Sequence, residues 1–200
     1  LLFLCGIRQH RAGCGLVVIL RTKQAPSADL INRAGRKRDT MRVTIFAVGR
    51  LKAGPERELA ARYLDRFSKS GPAAGLAFSR VVELPESRAA NATTRKREEY
   101  AALQKQLPPS AVLMALDENG RTPDTVAFAR LLGQWTDAGR RDLCIAIGGA
   151  DGHDPQLLED ADSVISLGKM TWPHQIVRIL LAEQLYRAAT VLVGHPYHRN

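Results

Sequence analysis

From residue 41 onward, short apolar runs alternate with stretches whose apolar residues recur every three to four positions. The runs are Arg42–Val48, Leu76–Leu84, Ala111–Leu116, Leu143–Ile147 and Ser163–Leu167. Short apolar or β-branched runs bounded by turn residues predict strands, and continuously apolar ones predict strands covered on both faces. Between them the pattern predicts helices. One starts at Pro55, with Leu59, Tyr63, Leu64 and Phe67 at helical spacing. A polar helix over Arg95–Leu107 follows Thr93 and Thr94 and is stopped by Pro108 and Pro109. The next is capped by Thr122, with Pro123 at its first position and Asp124 in its first turn. A short helix over Pro155–Ala161 and a long one entered through Pro173 complete the series. Strands separated by helices predict an α/β fold, a parallel sheet with helices on both faces.

The long last helix departs from the usual amphipathic pattern. At about 100° per residue, Ile176, Val177, Ile179, Leu180, Leu181, Leu185 and Tyr186 are spread around its whole circumference, as in a buried helix. It nevertheless carries His174, Arg178, Glu183, Gln184 and Arg187, and polar groups removed from water need partners. The helix is therefore expected to lie between two surfaces, which a dimer interface lining a ligand site would provide. Glu183 and Arg187 stand in the favourable i, i+4 order for a structural ion pair.

Composition changes this picture at the N-terminus. The chain has 29 Lys+Arg against 20 Asp+Glu, but eight of the former and two of the latter fall in residues 1–40. The remainder is only mildly basic, weak support by itself for a nucleic-acid partner. Residues 1–40 show no fold-like pattern and are expected to form an extension outside the fold, disordered or translated from upstream of a start at Met41; a basic arm that helps hold RNA is the rival reading. Arg8, His10 and Arg11 interrupt the apolar start, whereas a secretory signal puts its charge before the apolar core. No run reaches the roughly 18 apolar residues of a membrane span. Cys5, Cys14 and Cys144 form no C-x-x-C pair and no metal-ligand spacing, and Cys144 reads as a core residue. A reducing cytoplasm is the expected location, with no membrane partner.

Ligands of open α/β sheets bind at the carboxyl ends of the strands, and three such ends are marked by turn residues. They are Leu116-Asp117-Glu118-Asn119-Gly120, Ile147-Gly148-Gly149-Ala150-Asp151-Gly152 and Leu167-Gly168-Lys169-Met170-Thr171-Trp172. None is a P-loop or a G-x-G-x-x-G opening a helix, so nucleoside triphosphate and dinucleotide readings lose support. The run Arg95-Lys96-Arg97 is either a phosphate contact or, as charge runs usually are, a solvated helix face. The ending V-G-H-P-Y-H-R-N packs two His, a Tyr and an Arg into a tail that is expected to dock. His195 and His198 lack a third ligand at recognisable spacing, so no metal is expected.

Over Met41–Asn200 the chain resembles the RlmH family of ribosomal RNA methyltransferases within the SPOUT superfamily. The resemblance rests on M-R-V-T-I-F-A-V-G-R-L-K, L-D-E-N-G-R-T, I-G-G-A-D-G-H, S-L-G-K-M-T-W-P-H-Q-I-V-R-I-L-L-A-E-Q-L-Y-R-A and the terminal H-P-Y-H-R. It implies a C-terminal trefoil knot, a rare exception to the rule against knots, and a homodimer with the active site at the interface. It implies S-adenosyl-L-methionine as cofactor, bound largely by backbone groups at Leu116, Gly148, Leu167, Gly168, Lys169, Met170, Thr171 and Trp172. It also implies methyl transfer to N3 of a pseudouridine in helix 69 of 23S rRNA, on the assembled ribosome. Ala150 and Gly168 depart from the proline and serine common in the family. Beside those loops and in the tail, His174, Tyr197 and His198 are candidates for handling the proton, with Arg178 and Arg199 for holding phosphate or the developing negative ring. The alternatives are another RNA target for the same chemistry, or a ribosome-binding assembly factor without turnover.

Overall fold

The computed structural model of the chain describes residues 40–194. The expectations for residues 1–39 and for the tail from His195, including Tyr197, His198 and Arg199, fall outside them. Five strands form one sheet: β1 (Met41–Val48), β2 (Leu76–Leu84), β3 (Val112–Arg121), β4 (Asp142–Ile147) and β5 (Ser163–Ile165). Their order is β2-β1-β4-β3-β5 and every pairing is parallel. Five helices connect and follow them: α1 (Pro55–Ser70), α2 (Ala92–Gln104), α3 (Thr125–Asp137), α4 (Pro155–Asp160) and α5 (His174–Leu192).

The period of two along each strand sends neighbouring side chains to opposite faces. Val43, Ile45, Met114, Leu143 and Ile145 point to one face, where they meet Phe67, Phe128, Leu132, Leu181 and Leu185 from α1, α3 and α5. Phe46, Val48, Leu113, Ala115, Cys144 and Ala146 point to the other and pack with Tyr100, Leu103 and Leu157 from α2 and α4. Both faces are covered, which is why the strands read as apolar runs. Full burial of each large side chain contributes about 1.5–3 kcal/mol before conformational entropy is counted. Burial also pushes the Cys144 thiol up to about 11, leaving it a protonated core group.

Helix starts differ from the sequence expectation in two places, for one physical reason. Asn91, not Thr93 or Thr94, caps α2, its side chain accepting the Thr94 N–H at 2.7 Å. Asp124, not Thr122, caps α3 and accepts the Ala127 N–H at 2.7 Å. Asn and Asp offer a carbonyl or carboxylate acceptor, and a carboxylate also suits the positive end of the helix dipole. Pro173 stands at the cap position of α5, with His174 the first helical residue.

α5 packs against α1 and α3. Leu181, Ala182, Leu185, Ala188 and Ala189 are buried, and Ile176, Val177, Ile179, Leu180 and Tyr186 are half-buried. One of the two expected surfaces therefore lies within the chain. Among the described residues no helix is long and apolar enough to cross a membrane.

Candidate active site at the ends of three strands

Strand order gathers the three marked turns, which sequence spacing alone could not do. β3 lies between β4 and β5, and Leu116 is in register with Ile147 on one side and Ile165 on the other. The carboxyl ends of three adjacent strands thus open onto one edge.

The turn after β4 is tightly held. The Gly152 N–H donates to the Gly149 carbonyl at 3.1 Å, and a Cβ on Gly148 would lie 3.0 Å from the Gly152 carbonyl carbon. Gly152 has φ 80°, the left-handed region that favours glycine. Arg95 grips Asp151 with two bonds, Nε to Oδ2 at 2.7 Å and Nη2 to Oδ1 at 3.0 Å, and donates from Nη1 to the Ala89 carbonyl. Its bond holds the Asp151 carboxyl below the usual carboxylate range. The first cation of the Arg95-Lys96-Arg97 run is thus engaged inside the fold. Beneath the turn, the buried Glu99 accepts the Ser87 N–H at 3.0 Å, and burial pushes its carboxyl up.

His153 was missed as a site residue in the sequence, although it ends the I-G-G-A-D-G-H segment. It is 7% exposed, and its Nε2 lies 3.1 Å from the Leu116 carbonyl oxygen. A carbonyl only accepts, so Nε2 carries the proton. Burial lowers the imidazole pKa, keeping the ring neutral. The available signal was a histidine closing a glycine turn directly after an apolar strand.

On the other side, β3 makes an excursion at Asp117–Gly120 and then rejoins β5. Ile165 pairs with both Leu116 and Arg121, and the Ser166 N–H donates to the Arg121 carbonyl at 2.8 Å. Gly120 is required there, because a Cβ would fall 2.6–2.8 Å from the backbone of Ile165. The strand was expected to end at Leu116; it continues to Arg121 because D-E-N-G serves as a bulge, the local irregularity at which strands are re-aimed.

The loop from Ser166 to Pro173 contrasts with the glycine turn. Its internal bonds join Ser166 to Gly168: Ser166 Oγ donates to the Gly168 carbonyl at 2.6 Å and accepts its N–H at 3.2 Å. Gly168 has φ 132°, with the Trp172 Nε1 4.0 Å from where its Cβ would be. Lys169 through Pro173 are exposed, Met170 at 70% and Trp172 at 39%. The backbone of Lys169–Trp172 makes no hydrogen bond to another described residue.

The α5 candidates separate. His174 is half-buried at the first position of the helix, next to that loop. Arg178 faces inward rather than toward a phosphate: Nη1 donates to Glu83 Oε1 at 2.9 Å, and Nη2 donates to the carbonyls of Val48 at 3.0 Å and Gly49 at 2.7 Å. Glu83 Oε1 also accepts the Leu51 N–H at 2.8 Å. Arg178 therefore locks α5 to the ends of β1 and β2. Glu183 and Arg187 form the expected i, i+4 ion pair, Nε to Oε1 at 2.8 Å. A cavity of about 340 Å³ between the start of α3, the end of β5 and α5 is a neighbouring feature; of the expected cofactor residues, Leu167 alone lines it.

Residues 41–198 match the family described as Predicted SPOUT methyltransferase. The chain is 67% identical over 159 residues to the Ribosomal RNA large subunit methyltransferase H of Sinorhizobium fredii, covering 80% of this chain and 99% of that protein. The protein of the same name from Rhizobium meliloti is also 67% identical over 159 residues, with the same coverage. The one from Allorhizobium ampelinum is 63% identical over 160 residues, covering 80% of this chain and all of that protein. A family match across the whole sheet, together with relatives matched over almost their entire length, places the chain in the SPOUT methyltransferase family, within its RlmH group.

Proposed function

We propose that this chain methylates large-subunit ribosomal RNA, using S-adenosyl-L-methionine to modify N3 of a pseudouridine in helix 69 of 23S rRNA. The observation that carries the reading is the side-by-side placement of the three turns after β4, β3 and β5, the segments through which the family resemblance implies cofactor binding. The relatives' names support ribosomal RNA as the substrate.

The residues present suit such a cofactor. A glycine turn that a Cβ at 148 would crowd forms one wall, and the backbone groups of Lys169–Trp172, which bond to no other described residue, offer donors and acceptors on the other. Leu116, Gly148, Leu167, Gly168, Lys169, Met170, Thr171 and Trp172 would hold the molecule, which supplies an electrophilic methyl on a sulfonium. The protein's part is to align two reactants, which lowers the entropic share of the barrier, and to manage one proton. The hydrogen on N3 has to leave before or during attack. The candidates for taking it are His174 at the start of α5 and Tyr197 and His198 in the tail, with Arg199 to hold phosphate or the developing negative ring. Arg178 contributes by anchoring the helix that presents His174.

The rest of the reading is a homodimer, with the half-buried flank of α5 as its contact, and a C-terminal trefoil knot. The family match is what supports the knot. The family match beginning at Met41 supports placing residues 1–40 outside the catalytic domain. We place the enzyme in the cytoplasm, where its substrate particle is.

The test uses the purified chain, radiolabelled S-adenosylmethionine and ribosomes lacking the modification. Label is then located in the RNA by nuclease digestion and mass spectrometry. Label on one helix 69 pseudouridine is the expected result; label elsewhere in RNA moves the target, and cofactor binding without any label favours a non-catalytic ribosome-binding factor.

A further inference from the structure

His153 has no role in the chemistry above, yet it is the side chain that joins two of the three turns. It follows the glycine turn of β4 and donates from Nε2 to the carbonyl of Leu116 at the end of β3. The ring lies 7% exposed over a cavity of only about 10 Å³, shared with Lys96, Glu99, Tyr100, Gly148 and Asp154. A space that small admits at most a single water, so the imidazole cannot turn away while the turns stay in place. A Cβ at Gly148 would meet the Gly152 backbone, so the turn itself is closely folded.

We infer that His153 is the positioning residue of the cofactor slot: its bond to Leu116 sets the gap between the turn after β3 and the glycine turn after β4. The inference rests on the cofactor reading above and adds to it the residue that fixes the slot's width.

A consequence follows for pH. The charged groups around the ring pull in opposite directions: Asp117 favours the imidazolium and Lys96 opposes it, while the carbonyls of Leu116 and Ala146 favour the charged form. Glu99, Tyr100 and Asp154 face the same small cavity. Burial outweighs the favourable contacts and holds the imidazole below its ordinary 6.5. Protonation therefore requires the ring to reach water, and reaching water breaks the tie to Leu116. Cofactor affinity falls once the pH drops through this depressed value, with up to one proton taken up per cofactor released.

The experiment is calorimetric titration of the full chain with S-adenosylmethionine from pH 7.5 down to 5. It compares the unsubstituted protein with His153→Phe and His153→Gln, each first shown to melt cooperatively at pH 7.5. Phenylalanine fills the space without the donor and is expected to weaken binding about tenfold, the scale of one lost buried hydrogen bond. Glutamine can place an N–H where Nε2 stood, without titrating. It is expected to restore affinity to within about twofold of the unsubstituted protein and to remove the acid decline. Phenylalanine binding as tightly as histidine, or glutamine keeping the same acid decline, overturns the inference while the cofactor reading stands. No binding by the unsubstituted protein at any pH removes both. Should His153→Phe fail to fold, the pH profile of His153→Gln decides alone.

Discussion

The turn after β4 and the loop after β5 face the same opening and are built in opposite ways. Gly148–His153 is tied at several points: a bridge between Gly149 and Gly152, the Arg95 grip on Asp151, and the bond from His153 to Leu116. Beyond the Ser166 N–H on the Arg121 carbonyl, the loop Ser166–Pro173 is tied through Ser166 and Gly168 and leaves Met170 and Trp172 exposed. Fixed polar groups bind without reorganisation, whereas a loop that closes on arrival excludes water and commits the substrate. One wall of the opening is fixed by bonds to its surroundings, and the other is held by few. The boundary between the two is β3, which is packed against both.

The most damaging change removes the frame that both walls share. Arg178→Ala deletes the clamp on the partly exposed Glu83 and leaves the carbonyls of Val48 and Gly49 without their charged donor; at about 1.5–3 kcal/mol per charged hydrogen bond, the loss is about 3–5 kcal/mol. Thermal melting is expected to drop by roughly 6–20 °C, at some 2–4 °C per kcal/mol for a domain of this size. A melt within about 2 °C of the unsubstituted protein would mean the clamp is idle. Next comes Gly120→Ala, whose methyl would enter the backbone of Ile165. A cost of about 1–3 kcal/mol is expected from overpacking, and amide exchange should quicken across Ser163–Trp172 while Gly148–His153 stays protected.

Asp151→Asn loosens the held turn alone. Exchange at Gly148–Gly152 is expected to rise toward the rate of Lys169–Trp172, which should not change. The same tie gives a pH signature. The folded pKa of Asp151 lies below its ordinary 3.8 because Arg95 bonds the ionised form. The stabilisation is therefore present above that value and is lost as the pH falls through the depressed one. The turn should stay protected at pH 4 in the parent and be unprotected at every pH in the variant. The smallest effect is expected from Gly168→Ala. Its φ of 132° disfavours a side chain, but the space is open and the loop can relax; melting should shift by less than about 3 °C, since less than 1 kcal/mol is at stake. A large loss there would show that the exposed loop is as fixed as its neighbour, and the contrast would fail.

These contrasts show what a linear pattern carries. Strands β1, β2 and β4 lie within a residue of the expected runs: burial on both faces leaves a continuous signature in β1 and β4, and the edge strand β2 was marked by alternation. The order of the strands does not, since it depends on pairings such as Arg42 with Asp142 across a hundred positions. Helix starts slipped where Asn91 and Asp124 competed with nearby threonines, and the better acceptor won. The glycines flagged the right turns through their backbone demands. Arg178 carried no hint of its partner, because Glu83 lies 95 positions away, and a charge on an apolar helix says only that some partner exists. His153 was hidden for the same reason: its bond is to a carbonyl, a group every residue has.

The position of β3 also has a consequence for synthesis. β1 and β2 can pair as soon as both have left the exit tunnel, but the neighbours of β3 are β4 and β5, both downstream of it. β4 must then insert between β1 and β3, joining two pieces made far apart in time. Such long-range parallel pairing is slow, and unpaired strand edges invite other chains. A nascent chain paused before Asp142 would hold a two-stranded piece and a lone strand, both apolar, with the strand that unites them still unmade.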